Sequence, residues 1–253
     1  MNEKRTSWDK VATWYDTLLS SDDTYQKEVI LPNLLRILDI KSGTKVIDIA
    51  CGQGYFAKNL ADLGAEVVGV DVSFNLIKFA QKEMKQNERY FVSSADRLHK
   101  EIPSNYFDKA VIVLALQNIE NISGTLAEAN RVLKTGGSLC LVLNHPAFRI
   151  PKQSSWGFDE VAGIQYRRVD AYLSESKVDI EMHPGQEKSE NTVSFHRPLQ
   201  LYFKNLVKNK FAIIRLEEWT SHRKSAKGPR QKAEDKARHE IPLFMLIEAK
   251  KSL

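Results

Sequence analysis

Between Lys45 and Asn144 the chain alternates short β-branched apolar runs with longer stretches of helical periodicity, a pattern that few folds can satisfy. The apolar runs at 45–49, 66–70, 89–92, 107–114 and 138–144 predict strands. The stretches 54–63, 73–86 and 121–133 predict the helices between them. Such runs are apolar almost throughout, as in a parallel sheet covered on both faces, and right-handed crossovers are expected. Lys134-Thr135-Gly136-Gly137 is expected to close the third helix through a left-handed glycine. Upstream, Ile30, Leu34, Leu35, Ile37 and Leu38 recur at helical spacing before the turn at Lys41-Ser42-Gly43. Downstream, 198–209 predicts a helix, and 211–219 and 242–249 predict strands.

The resulting expectation is an α/β fold, doubly wound around a mostly parallel sheet. At 253 residues and 42% hydrophobic, the chain suits one domain. It divides into a helical lead-in (1–44), a core (45–144), an insertion (145–197) and the remaining core strands (198–253), with a basic loop at 220–240. The insertion interrupts the alternation for about 50 residues and carries Trp156, Phe158, Tyr166 and Tyr172, the composition of a lid or binding loop. No apolar run approaches the roughly 20 residues needed to cross a bilayer, and the basic N-terminus lacks the apolar stretch of a secretory signal. No membrane association and a cytoplasmic location are expected. Cys51 and Cys140 sit in apolar strand-like segments and predict buried thiols, without metal or disulfide chemistry. The net charge of +5 is unevenly placed, with Lys and Arg crowded between His222 and Glu240.

The chemistry is concentrated in VIDIACGQGYFA, residues 46–57, where an apolar strand runs into a Gly-x-Gly turn that opens a helix. Glycine at such a turn lets the backbone approach a ligand closely. In a dinucleotide site that turn cradles a pyrophosphate, and an acid beside it would repel the ligand. Asp48 stands four residues before Gly52 and favours a ligand carrying a sulfonium and an ammonium instead. A second strand ends in Asp71, 19 residues after Gly52, placed to accept ribose hydroxyls in charge-assisted hydrogen bonds.

With these pieces in order, residues 46–144 resemble the class I S-adenosylmethionine-dependent methyltransferases, especially the ubiquinone and menaquinone C-methyltransferases and small-molecule methylases. DIACGQG is similar to the glycine motif and GVDVS to the ribose-binding acid. SSADRL resembles the third-strand loop, FDKAVIVLALQNIEN the fourth strand, and EANRVLKTGGSLCLVLNHP the following helix, turn and fifth strand. The resemblance implies a seven-stranded sheet whose last strand is antiparallel. It also implies a cofactor site built from Asp48, Ala50, Gly52, Gly54, Asp71 and Val72. Asp96 would take the adenine amino group, with a backbone contact at Ala95. The tip from Leu114 to Gln117 would lie against the cofactor, and Tyr15 resembles a lead-in aromatic that covers it.

Methyl transfer from a sulfonium is an in-line displacement that depends chiefly on alignment. Should the acceptor need a general base, His145, directly after the fifth strand, and His196 are the candidates, each with a structural hydrogen-bonding role as its competitor. Arg197 suits an acceptor carboxylate or phosphate, and Tyr166 a wall of the acceptor pocket. A small-molecule acceptor is the leading expectation. The alternatives are methylation of an RNA base, with the cations between Arg223 and Arg238 on phosphate, and a non-catalytic adenosylmethionine-binding partner or sensor. A dinucleotide oxidoreductase would leave Asp48 and the Asp96 loop without a purpose.

Overall fold

The computed structural model describes residues 8–9, 23–182 and 191–252. A π-helical turn, Gln26–Ile30, runs into α1 (Leu31–Leu38); along the two, Ile30, Leu34 and Leu38 repeat every fourth residue and are fully buried. Asp39 then leaves the helix in the left-handed conformation. From there the chain lays down β1 (Lys45–Ile49), α2 (Tyr55–Asp62), β2 (Glu66–Asp71), α3 (Phe74–Lys82), β3 (Glu88–Val92) and β4 (Phe107–Val113). It continues with α4 (Ile122–Val132) and β5 (Leu133–Asn144). The C-terminal part adds α5 (Leu199–Lys208), β10 (Phe211–Trp219), α6 (Gln231–Glu240) and β11 (Phe244–Lys251).

Seven strands form one sheet in the order β10-β11-β5-β4-β1-β2-β3. β1 pairs in parallel with β2 and β4, β2 with β3, and β4 with β5, whereas β11 is antiparallel to both β5 and β10. The mostly parallel sheet with an antiparallel last strand is therefore present as expected. Two apolar clusters cover it: one centred on Ile47, Ile112, Leu126 and Leu141, the other on Val46, Leu34, Leu60 and Val142. Val46 and Ile47, like Leu141 and Val142, are strand neighbours that point to opposite faces, which accounts for runs apolar at every position.

Two regions differ from the sequence expectation. Gly136 is left-handed, at φ +75°, but it does not close a helix: α4 stops at Val132 and β5 has already begun at Leu133. The glycines instead let β5 bulge, so that the register with β4 jumps from Phe107↔Leu133 to Lys109↔Ser138. A side chain on Gly137 would lie 2.8 Å from the Lys134 carbonyl. The insertion, secondly, is made of hairpins. β6 (Ser154–Asp159) pairs with β7 (Ile164–Val169), and β8 (Ser176–Glu181) with β9 (Asn191–His196), each as a two-stranded sheet of its own. α6 packs on β7, and β9 packs on the short 3₁₀ turn Leu116–Asn118 that follows β4.

Candidate active site

At the carboxyl edge of the sheet, the tips of β1 and β4 part around a cleft. β1 delivers Asp48, and the turn that follows winds so tightly that Ala50, Gly52 and Gly54 all take positive φ, at 63°, 58° and 80°. Leu114, at the tip of β4, is also left-handed, with φ 53°. Two non-glycine residues in this costly conformation, both lining the same cleft, mark a backbone held open by its surroundings. Under the turn lies Tyr90, whose hydroxyl donates to the Glu88 carboxylate at 2.8 Å. A Cβ on Gly54 would come within 2.7 Å of that hydroxyl, which explains glycine there.

Asp48 is 1% exposed, and its Oδ2 has no hydrogen-bond partner. Burial, reinforced by the nearby Asp71 carboxylate, pushes its pKa up to about 7. A buried, unpartnered carboxylate oxygen in a cleft marks a candidate ligand-binding position. Asp71, also buried, accepts the Gly52 N–H at 3.0 Å through Oδ2 and the Ser73 N–H at 2.8 Å through Oδ1. It thereby fixes the turn, and each oxygen keeps a second lone pair. Burial raises its pKa as well, against the two amides that lower it.

Of the residues expected at a cofactor, Asp48, Ala50, Gly52, Asp71, Val72 and Leu114 line the cleft. Gly54 closes the turn from behind. Ala95, Asp96 and Gln117 are not among the lining residues. Asp96 takes hydrogen bonds from Ser94 and, at 2.9 Å, from Asn121, which hold its pKa low. Gln117 donates from Nε2 to the Leu114 carbonyl at 2.8 Å and so supports the left-handed tip. Tyr15 lies outside the described residues. The lead-in does supply an aromatic ring to the cleft, and it is Trp8. Beside it, Asp9 accepts the Ser73 hydroxyl at 2.7 Å and the Asn75 N–H at 3.1 Å, tying this segment to the start of α3. The only sequence signal for Trp8 is an aromatic in the lead-in.

The two histidines face elsewhere. His145 is buried; its Nδ1 accepts the Ala147 amide at 3.2 Å, so Nε2 carries the proton and meets Glu218 at 2.7 Å. Burial lowers its pKa, with Glu218 opposing. Both nitrogens are thus engaged in holding the turn after β5. His196 meets the Tyr172 carbonyl at 2.8 Å. Arg197 donates to the carbonyls of Leu116, Ile119 and Glu120, anchoring β9 to the tip of β4. Tyr166 lies across Gly157 on the exposed side of the first hairpin. None of these four lines the cleft. Among the described residues no cluster of potential metal ligands occurs, and no helix is long and apolar enough to cross a membrane.

Comparison with known proteins agrees with this geometry. Residues 47–141 match the family described as a methyltransferase domain. The chain is 29% identical over 143 residues to a demethylmenaquinone methyltransferase of Staphylococcus saprophyticus, covering 55% of this chain and 61% of that protein. To the enzyme of the same name from Tropheryma whipplei it is 33% identical over 114 residues, 44% of this chain and 46% of the relative. The chain thus spans under two thirds of the length of these relatives. In three dimensions it is similar to an S-adenosylmethionine-dependent methyltransferase from Mesorhizobium loti, with TM-score 0.70 and 24% identity over 90% of this chain and 99% of the other. A glycopeptide N-methyltransferase complexed with sinefungin aligns with TM-score 0.59 and 16% identity over 87% and 85% of the two chains. An unpartnered buried carboxylate oxygen beside a glycine turn also suits a cationic nucleoside better than a pyrophosphate. Residues 47–141 thus match a methyltransferase domain, and the strand order around them is that of the fold shared with the S-adenosylmethionine-dependent methyltransferase structures.

Proposed function

We propose that this protein transfers the methyl group of S-adenosylmethionine to a small-molecule acceptor. The observation that carries the reading is Asp48, a buried carboxylate with an unsatisfied oxygen at the cleft. When bound, the cofactor supplies a methyl group on a positively charged sulfur, which departs as a neutral thioether. Asp48 holds the cationic end, where its own charge is stabilised in return. Asp71 takes the ribose hydroxyls with its free lone pairs. Val72, Leu76 and Ile119 offer apolar walls to a flat base, and Trp8 covers the entrance.

No histidine among the described residues lines the cleft, so the protein's contribution to catalysis is alignment and exclusion of water. Support for a small acceptor comes from the relatives, which methylate demethylmenaquinone. The packing of the basic stretch points the same way. Arg223 pairs with Asp23 and Arg230 with Glu160, so these two cations already have carboxylate partners. Thermal melting with adenosylmethionine, adenosylhomocysteine, NAD and NADP tests the cofactor: the first two should raise the melting point, the dinucleotides should not. Release of adenosylhomocysteine across a library of small acceptors tests turnover. A protein that binds the cofactor yet turns over none of the acceptors would favour the sensor reading.

A further inference from the structure

Among the described residues, six arginines meet a carboxylate: Arg36 with Glu217, Arg131 with Glu128, Arg168 with Asp170, Arg215 with Glu248, Arg223 with Asp23 and Arg230 with Glu160. Three that do not, Arg149, Arg167 and Arg238, converge from separate parts of the chain on one cavity of about 270 Å³. Arg149 comes from the turn after β5, Arg167 from β7 and Arg238 from α6. Tyr25, Trp156, Ser221 and Leu243 complete much of the wall.

Each guanidinium is steered by neutral groups. Arg149 donates to the Asn144 side-chain oxygen at 2.6 Å. Arg167 donates to the Phe148 carbonyl and the Ser154 hydroxyl, both at 2.7 Å, and lies over the Trp156 ring. Arg238 donates to the Ser225 hydroxyl at 3.0 Å. No carboxylate among the described residues forms an ion pair with any of them; Asp235, which feels the charge of Arg238 from a distance, is engaged by the Ser225 amide at 2.7 Å. Arg149 is held below the usual arginine range by burial and also by the positive charge of Arg167. Half-buried cations crowded with no carboxylate in contact cost free energy that a bound anion would recover. Planar donors are suited to a carboxylate or phosphate.

The cavity's place in the sheet says whose anion it is. Asn144 at the end of β5 pairs with Phe244 at the start of β11, so the cavity lies at the same carboxyl edge as the cofactor cleft. The cleft straddles β1 and β4, and β5 and β11 follow next in the sheet. Two strand spacings, about 10 Å, separate them. Tyr25 and Leu243 of the cavity and Leu114 of the cleft pack against the same apolar cluster.

Building on the methyltransferase reading, we propose that Arg149, Arg167 and Arg238 bind a carboxylate or phosphate group of the methyl acceptor. The acceptor is then an anionic molecule with a flat apolar body, which Trp156, Tyr25 and Leu243 flank. Calorimetric titration of the full chain with benzoate and with phenyl phosphate, at low salt and with adenosylhomocysteine present, tests this. The two probes distinguish a carboxylate from a phosphate as the preferred group. At least one should bind, and Arg149→Gln and Arg167→Gln should each weaken it tenfold or more. Arg230→Gln, an exposed cation paired with Glu160, should leave binding unchanged. Should the buried positions not tolerate glutamine, Arg238→Gln removes the third cation from the edge of α6, and displacement of the probe by sulfate in the unaltered protein gives a second readout. Adenosylmethionine affinity is measured alongside. Cofactor binding with neither probe bound, or probe binding indifferent to Arg149→Gln and Arg167→Gln, would overturn the arginine site and leave the methyltransferase reading standing. Probe binding without cofactor binding would support the pocket and sink the reading.

Discussion

At Asp48 the sequence placed an acid beside a glycine turn, and the fold removes it from water. Its pKa of about 7 lies far above that of a solvated aspartate, so over the interval from about pH 4 to 7 the folded chain retains a proton that the unfolded chain releases. Stability therefore falls as pH rises through that window, and the full penalty, at most about 4 kcal/mol, is present above it. Asp48→Asn should raise the melting temperature by several degrees at pH 8, with little difference at pH 4. The same substitution should weaken adenosylmethionine binding at pH 8 by tenfold or more. In the unaltered protein, cofactor affinity should climb as pH rises through about 7, because the ionised carboxylate is the form that attracts a cation. A flat affinity profile from pH 5.5 to 8.5 by calorimetry would remove Asp48 from the site. For Asp71 the expectation is loss on both counts. Asp71→Ala should weaken cofactor binding by at least ~1.5 kcal/mol, and it also strands the Gly52 and Ser73 amides, so the melting temperature should drop. These two acids were legible because strand, glycine and spacing all bear on them. His145 and His196 were not, because a sequence shows that a histidine stands near a sheet edge but not which groups its nitrogens have already met.

Individual elements carry the next level of constraint. The turn from β1 to α2 depends on Tyr90, which comes from β3 and so couples two crossovers. Gly54→Ala would combine a left-handed alanine, costing about 1–2 kcal/mol, with a methyl group 2.7 Å from the Tyr90 hydroxyl. Adding Tyr90→Phe should recover part of that loss, although Tyr90→Phe alone destabilises by depriving the buried Glu88 of its donor. A double-mutant cycle by chemical denaturation should thus show a favourable coupling of about 1 kcal/mol or more. Strict additivity would mean that the ring yields without cost. Element boundaries were readable where apolar periodicity was strong, as in β1, β2 and β4. They failed at Gly136, since a left-handed glycine serves a strand bulge as readily as a helix cap. The hairpins were missed for another reason. Val178 and Ile180, like Val193 and Phe195, alternate with polar residues, a two-residue period that was present in the sequence. The aromatic composition of the insertion drew attention to Tyr166 instead. In β7 the adjacent residue, Arg167, reaches the opposite side, where the arginine cavity lies.

Across the whole molecule, strand order was predictable because each crossover in the methyltransferase pattern leaves one place for the next strand, whereas the attachment of the insertion depends on contacts far apart in sequence. Arg197 supplies one such attachment. Its guanidinium, buried at the end of β9, bonds to three carbonyls of the segment after β4, 77 to 81 residues away, and Ile119 of that segment also lines the cleft. The second hairpin and the cofactor cleft therefore share a fastening. Arg197→Met keeps the apolar stem over Phe195 but removes every donor. We expect a global loss of about 2–3 kcal/mol, the scale of hydrogen bonds from a charged group. The loss should also be local in origin. Amide hydrogen exchange should quicken at 116–120 and 191–196 while β2, β3 and β11 keep their protection relative to the global stability. Adenosylmethionine binding should weaken several-fold through Ile119 and Leu114, with no change in the affinity of the arginine cavity for its anion. Uniformly faster exchange across all strands would instead mean that hairpin, cleft and sheet open as a single unit, and that Arg197 contributes to stability without positioning the site.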